Sequence, residues 1–323
     1  MNKEALLEIK GLKTSFFLRE GVVVAVDGID LVLNPGETLG LVGESGCGKS
    51  VTSLSIMRLI LEPPGKIEEG EILFNNRDLL KFSKKEMQRI RGKELSMIFQ
   101  EPMTSLNPVF TVGYQIEEVL KAHTDLSKKE RESKVIDLLK KVQLPYPEKR
   151  VKSYPHELSG GMRQRVMIAM GIACEPKLLI ADEPTTALDV TIQAEILKLL
   201  AELKASSRMA MLFVTHNLSI VSEIADTIAV MYTGTIVEKG AVETVYKKPL
   251  HPYTQGLLQS IPQINMDRAK KLVAIEGNVP DAKTRIPGCP FHPRCFRRGE
   301  ECDQKRPQLR EFDSGHYVAC HYA

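Results

Sequence analysis

The sequence predicts an α/β protein built on a mainly parallel sheet with helices on both faces. Three observations carry this prediction. Short apolar runs of the buried-strand kind recur at residues 38–43, 95–100, 177–184, 210–216 and 227–232, and such runs belong in a sheet covered on both sides. Helical text separates them, SVTSLSIMRLIL after the first and QAEILKLLAELKA after the third, and strands alternating with helices form parallel sheets. A glycine-rich loop joins the first of these strands to the first of these helices.

Composition narrows the class. The chain has 323 residues, about two domains at roughly 150 residues each. Hydrophobic residues make up 43% and charged residues 26%, ordinary for a globular protein. A net charge of +3 is too small for a surface that coats nucleic acid, so no nucleic-acid partner is expected. The longest apolar stretch, residues 166–174, has a glycine inside it and falls far short of the roughly 20 residues a bilayer needs. The opening MNKEALLEIKG lacks the apolar segment of a secretory leader. Together these predict a cytoplasmic protein, or the cytoplasmic face of something larger.

The elements follow in order. Residues 6–33 read as two strands, and Asn34-Pro35-Gly36 as a turn. The strand at 38–43 leads into the glycine-rich loop, and a helix follows. The Lys/Glu-rich text from about 111 to 143 has helical spacing and reads as a solvated helical face. Tyr232-Thr233-Gly234-Thr235 suggests a hairpin turn. Beyond about residue 249 the texture changes to Pro, His and Cys with little periodicity, which places a domain boundary there. The sequence contains no internal repeat.

Gly43-Glu44-Ser45-Gly46-Cys47-Gly48-Lys49-Ser50 fits the G-x-x-x-x-G-K-[ST] phosphate loop, with a strand before it and a helix from Val51 after it. Glycines let backbone N–H groups turn inward around phosphate, and the helix N-terminus adds partial positive charge. Lys49 would reach the β- and γ-phosphates and Ser50 would ligate Mg²⁺. The apolar run LLIADE ends in Asp182 and Glu183. Asp182 suits the metal, and Glu183 sits where a general base for the attacking water belongs.

Leu158-Ser159-Gly160-Gly161-Met162-Arg163-Gln164 opens a helix ahead of that strand. It resembles the LSGGQ signature of ATP-binding-cassette (ABC) ATPases, with Met162 in place of the usual Gln. Ser159 and the two glycines at a helix N-terminus form a second anion site. The first loop already holds the phosphates of its own chain, so this site would serve nucleotide on another chain. Gln100, ending a strand, resembles the Q-loop glutamine, a ligand of Mg²⁺ or water. Ala187-Leu188-Asp189 resembles the D-loop, and His216 the switch histidine. Phe16 sits where the family carries an adenine-stacking aromatic; its neighbour Phe17 competes for that place, and one of the two belongs to the core. The resemblance covers residues 6–245. It implies the ABC version of the P-loop fold: an N-terminal antiparallel β subdomain, an inserted helical subdomain over about 101–176, and a nucleotide-binding domain over 1–250.

Residues 249–262, with His251-Pro252-Tyr253, resemble the corresponding segment of dipeptide and oligopeptide importer ATPases. Glu101-Pro102-Met103-Thr104-Ser105-Leu106-Asn107-Pro108 is like that group as well. This assigns 251–323 to a small Cys-rich extension. Its cysteines, Cys289, Cys295, Cys302 and Cys320, lack the spacing of common zinc modules. In a reducing cytosol such a group reads as a metal site before it reads as disulfides. Resemblance to the peptide-importer group implies a [4Fe-4S] cluster, with zinc as the alternative; His292, His316 and His321 keep a mixed site open. The metal would fix a tail too short for a core of its own.

The resemblance implies a working assembly. Two cassettes face each other head to tail around ATP, the second subunit being a related ATPase in a heterodimer. Two separate permease subunits and an extracytoplasmic solute-binding protein complete it, with this chain peripheral on the cytoplasmic face of the cell membrane. The alternatives are the same machinery importing nickel or another small solute, or a soluble non-transport ABC ATPase. Cys174, after an apolar helix, reads as a buried small hydrophobe. Cys47 has two readings. It is a passive filler of the loop, or a thiol activated by Lys49 and the helix start and open to reagents when nucleotide is absent.

Overall fold

The computed structural model describes residues 4–101, 105–186, 188–261, 275–280, 283–284 and 286–323. In chain order the first elements are β1 (Leu7–Leu18), β2 (Gly21–Leu33), β3 (Thr38–Val42), α1 (Lys49–Ile56), β4 (Gly65–Phe74), β5 (Arg77–Asp78), α2 (Lys84–Ile90) and β6 (Leu95–Ile98). Next come α3 (Val112–His123), α4 (Lys128–Lys141), α5 (Pro147–Arg150), α6 (Gly160–Ile172), β7 (Leu178–Asp182), α7 (Val190–Ser207) and β8 (Ala210–Thr215). The last are α8 (Leu218–Ile224), β9 (Thr227–Tyr232), β10 (Thr235–Ala241), α9 (Val242–Lys247), α10 (Pro252–Gln259), β11 (Arg310–Asp313) and β12 (His316–Val318). The chain forms two compact units. One comprises Met1–Leu33, Glu37–Leu80 and Phe213–Ala323, the other Asn34–Gly36 and Lys81–Leu212.

In the first unit β1 pairs antiparallel with β2 and with β4, giving an antiparallel layer. β3 pairs in parallel with β9. The chain then turns at Thr233-Gly234 so that β10 runs antiparallel to β9, as the hairpin reading expects. The far tail continues this sheet: β12 pairs with β10, and β11 with β12. Val42, Val230, Tyr232, Val237 and Tyr253 share one buried cluster with Cys289, Phe291 and Cys302. The tail therefore borrows a core rather than building one, as its brevity requires.

In the second unit β6 pairs in parallel with β7. Both strands are almost wholly buried, which explains their unbroken apolar text. Helix starts follow their caps. Ser127 caps α4 in a reciprocal box with Glu130, and Ser159 and Asp189 accept N–H bonds from Met162 and Ile192 at the starts of α6 and α7.

Two helical expectations change. The helix after the phosphate loop stops at Ile56 rather than running to Leu61. Arg58 adopts a left-handed backbone; its N–H bonds Ser55 O at 3.0 Å while the Leu59 N–H bonds Leu54 O at 2.8 Å. This pair of bonds terminates a helix, and it forms here without the glycine that would reveal it in a sequence. The Lys/Glu-rich stretch is two helices, α3 and α4. Gln143 closes α4 in the same way, with Leu144 N–H bonding Leu139 O at 2.9 Å.

Candidate functional site

In the first unit, residues 43–50 leave β3 and wrap toward the start of α1. Gly43, Gly46 and Gly48 all take positive φ, at 158°, 78° and 109°. Ser45 and Gly46 lie at the surface while Cys47, Gly48 and Lys49 are buried. Lys49 Nζ is held by Gly43 O at 2.8 Å and Glu44 O at 3.0 Å. A buried ammonium in a loop with three glycines at positive φ suits a polyphosphate. α1 has no side-chain cap at Gly48, so its first N–H groups suit an anion. Phe16 is half-buried and Phe17 48% exposed. Neither belongs to the core, because β1 is an exposed hairpin strand at that end. His216 follows β8 and is exposed.

In the second unit, β7 ends at Asp182, which is buried. Glu183 follows with φ 45°, a conformation that costs a non-glycine residue and recurs at functional sites. Its Oε2 accepts a hydrogen bond from Gln100 Nε2 at 3.0 Å and another from Thr186 Oγ1 at 2.8 Å. Gln100 and Glu183, two residues singled out separately in the sequence, are thus directly bonded. Thr186 was not anticipated, and its only signal was its place three residues after Glu183. Ser159 and Gly160 are exposed at the start of α6, and a Cβ on Gly161 would meet Ile192 Cγ2 at 2.7 Å. Asp189 caps α7. Ala187, in the D-loop text, and Pro102, Met103 and Thr104 lie outside the described residues.

Sequence reasoning missed two contacts of the loop. The Tyr253 hydroxyl accepts the Glu44 N–H at 2.8 Å, and Arg294 grips the Glu44 carboxylate. Tyr253 belonged to a motif whose purpose was not visible, and Arg294 stands 250 positions away with no motif of its own.

The structure decides between the two readings of Cys47 and changes that of Cys174. Cys47 is 1% exposed. Burial pushes its thiol up, and the opposing pull of Lys49, whose Nζ sits 3.8 Å from Sγ, is the smaller effect. The activated, reagent-accessible reading is therefore corrected in favour of a filler packed under Gly43. Cys174 is only half-buried rather than core.

The tail cysteines are all described. Cys289 and Cys302 are buried, Cys295 and Cys320 partly so. Cys289 N–H bonds Cys302 O at 2.7 Å. Burial, helped by the neighbouring Cys302, Cys320 and Cys295 and opposed by a hydrogen bond from the Phe291 backbone, pushes the Cys289 thiol up to about 11. Four mutually felt thiols are the donor chemistry of a soft metal site. Among the described residues, however, no three His, Cys, Asp or Glu side chains are already arranged to hold an ion. The three nearby histidines are engaged elsewhere: His292 with Cys289 O, His316 with Glu238, and His321 with Lys305 O.

With this geometry in hand, the comparisons with known proteins are direct. The family described as ABC transporter matches residues 26–186, and the family described as oligopeptide/dipeptide transporter, C-terminal region, matches 237–302. The chain belongs to the ABC transporter ATP-binding family, in the group that carries this C-terminal region, and it is an ABC ATPase that binds and hydrolyses ATP.

It is 51% identical to the Bacillus subtilis oligopeptide transport ATP-binding protein AppD, covering 98% of this chain and 96% of that protein. A putative peptide import ATP-binding protein of Brucella ovis is 50% identical, over 99% and 98%. The Bacillus subtilis dipeptide transport ATP-binding protein DppD is 48% identical, over 98% and 94%. Among solved structures, the ATP-binding cassette MJ0796 in a dimeric post-hydrolysis state with ADP and Pi superposes with TM-score 0.66 at 27% identity, covering 73% of this chain and 98% of that one. Among the described residues no helix is long and apolar enough to cross a membrane.

Proposed function

We propose that this chain powers the uptake of di- or oligopeptides as the ATPase subunit of an importer. Likeness along nearly its whole length to peptide transport and import ATP-binding proteins carries this reading. On it, the chain sits peripherally on the cytoplasmic face of the cell membrane. It pairs with a second, related ATPase subunit and drives two permease subunits fed by an extracytoplasmic solute-binding protein. The nucleotide-binding domain is 1–250, with its helical subdomain at about 101–176, and 251–323 is the extension.

The residues divide the work. Gly43–Ser50 amides and Lys49 take the phosphates, and Phe16 stacks on the adenine. Ser50, Gln100 and Asp182 would hold Mg²⁺, which when bound offsets charge on the transferring phosphoryl group. Glu183 takes the proton of the attacking water, and its bond from Gln100 keeps its carboxylate oriented. His216 acts as the switch near the γ-phosphate. Ser159, Gly160, Gly161 and Asp189 serve nucleotide on the facing subunit, which the exposure of Ser159, Gly160 and Asp189 permits. Cys289, Cys295, Cys302 and Cys320 would hold a [4Fe-4S] cluster that supplies cross-linking of the tail, with zinc as the alternative; their shared thiol environment supports this.

The test is Glu183→Gln in the assembled transporter. ATP binding persists while turnover falls by about a hundredfold or more, in line with loss of a general base. Turnover near the wild-type rate removes Glu183 from the base role. Peptide uptake driven by the wild type, and absent with the variant, tests the substrate class in the same preparation.

A further inference from the structure

Glu44 is the first residue of the phosphate loop after Gly43, and the C-terminal region holds it at two points. Arg294 Nη1 donates to Glu44 Oε2 at 2.7 Å and Nη2 to Oε1 at 3.1 Å. The Glu44 N–H donates to the Tyr253 hydroxyl at 2.8 Å. Its carbonyl accepts from Lys49 Nζ at 3.0 Å. One residue therefore joins the phosphate-binding lysine to two side chains of the extension.

This is not an incidental surface pair. Such pairs contribute little, but the Arg294 side chain is 5% exposed. It lies over the rings of Tyr232 and Phe291, 5.9 and 6.0 Å from their centroids, and its Nε donates to Glu276 O at 3.1 Å. A two-point fork between guanidinium and carboxylate fixes direction as well as distance. Tyr253 is equally set: its ring packs 4.7 Å from Tyr232 and 5.4 Å from Phe291.

The charge has a second effect. A carboxylate beside a phosphate loop repels the anion the loop receives. Paired with Arg294, Glu44 is neutralised and directed to the tail.

We propose that Arg294 is a positioning residue for ATP binding: acting through Glu44, and together with Tyr253, it holds the phosphate loop in its anion-receiving shape and cancels the Glu44 charge. The proposal rests on residues 43–50 being the phosphate loop. It makes the docked extension a working part of the nucleotide site, acting through Glu44.

The test uses the purified full chain and a fluorescent trinitrophenyl-ATP titration, with thermal unfolding alongside. Arg294→Met should raise the Kd about tenfold, the size expected on losing a charge-assisted bond. Adding Glu44→Gln to it should recover the Kd to within about threefold of wild type, because the unpaired carboxylate is gone. A purely structural role predicts no such rescue. A wild-type Kd in Arg294→Met, or a double variant no better than the single, overturns the proposal. Should Arg294→Met fail to fold, Arg294→Lys keeps the charge without the fork and should bind with an intermediate Kd; a Kd equal to wild type overturns the proposal there too. Lys49→Ala separates the two readings. If it binds like wild type, the loop assignment itself fails; if it loses binding while Arg294→Met does not, only the role of Arg294 fails.

Discussion

Gly43 illustrates how little room the loop leaves. A Cβ there would stand 2.1 Å from Met231 O and 2.7 Å from Cys47 Sγ, and a backbone carbonyl cannot step aside. Gly43→Ala should cost about 2 kcal/mol or more through overpacking and strain and abolish ATP binding. Thermal unfolding and nucleotide titration check both, and wild-type binding would show that the loop relaxes. At this scale the sequence is legible where a motif is local, and the structure gives the loop glycines positive φ and buries Lys49, Asp182 and Glu183. The loop glycines, Lys49, Asp182 and Glu183 each carry their purpose in a few neighbouring letters. It left Cys47 open between two readings, because the nearness of Lys49 is visible in sequence and burial is not. Glu44–Arg294 was invisible, since nothing in one dimension links a loop glutamate to an arginine between a proline and a cysteine.

Helix α10 carries the argument at the scale of elements. His251 caps it, its Nδ1 accepting the Tyr253 N–H at 3.1 Å, and it is fully buried. Burial lowers its pKa to about 3, against about 6.5 in an unfolded chain. Below pH 6.5 the unfolded state binds a proton that the folded state refuses, so stability is whole above pH 6.5 and is lost as pH falls toward 3. His251→Asn keeps a capping acceptor without the titration. Unfolding free energies from urea titrations at pH 7.5 and 5 should fall less in this variant, by about 1.4 kcal/mol for each pH unit below 6.5; equal pH dependence would exclude His251 as the source. The buried strands were legible because an unbroken apolar run is local. The ends of α1 and α4 were not, because Arg58 and Gln143 take the left-handed place that glycine advertises.

At the scale of the whole molecule, the extension is tied to the rest of the first unit by shared core, sheet and ion pairs, among them Arg306 Nη1 to Asp27 Oδ2 at 2.5 Å. Cys302 lies in that core, 5% exposed. Anaerobically purified protein should be brown with about four irons and four sulfides per chain, and Cys302→Ser should bleach it. Zinc at one per chain, with no iron, would favour the alternative. If the extension loosens with the metal, ATP affinity should fall along with colour, since Arg294 stands beside Cys295. The change of texture near residue 249 was legible. That the tail returns to β10 was not, because β12 is only three residues long and its register depends on a partner some 80 positions upstream. That return has a bearing on self-association. A bare β10 would offer unpaired N–H and C=O groups to any passing chain, an invitation to aggregate. β12 occupies that edge, and the outermost strand among the described residues is β11. Its four residues, Arg310, Glu311, Phe312 and Asp313, are all exposed and three are charged, which discourages another copy from adding a strand of its own. The tail thus covers an edge as well as completing a core.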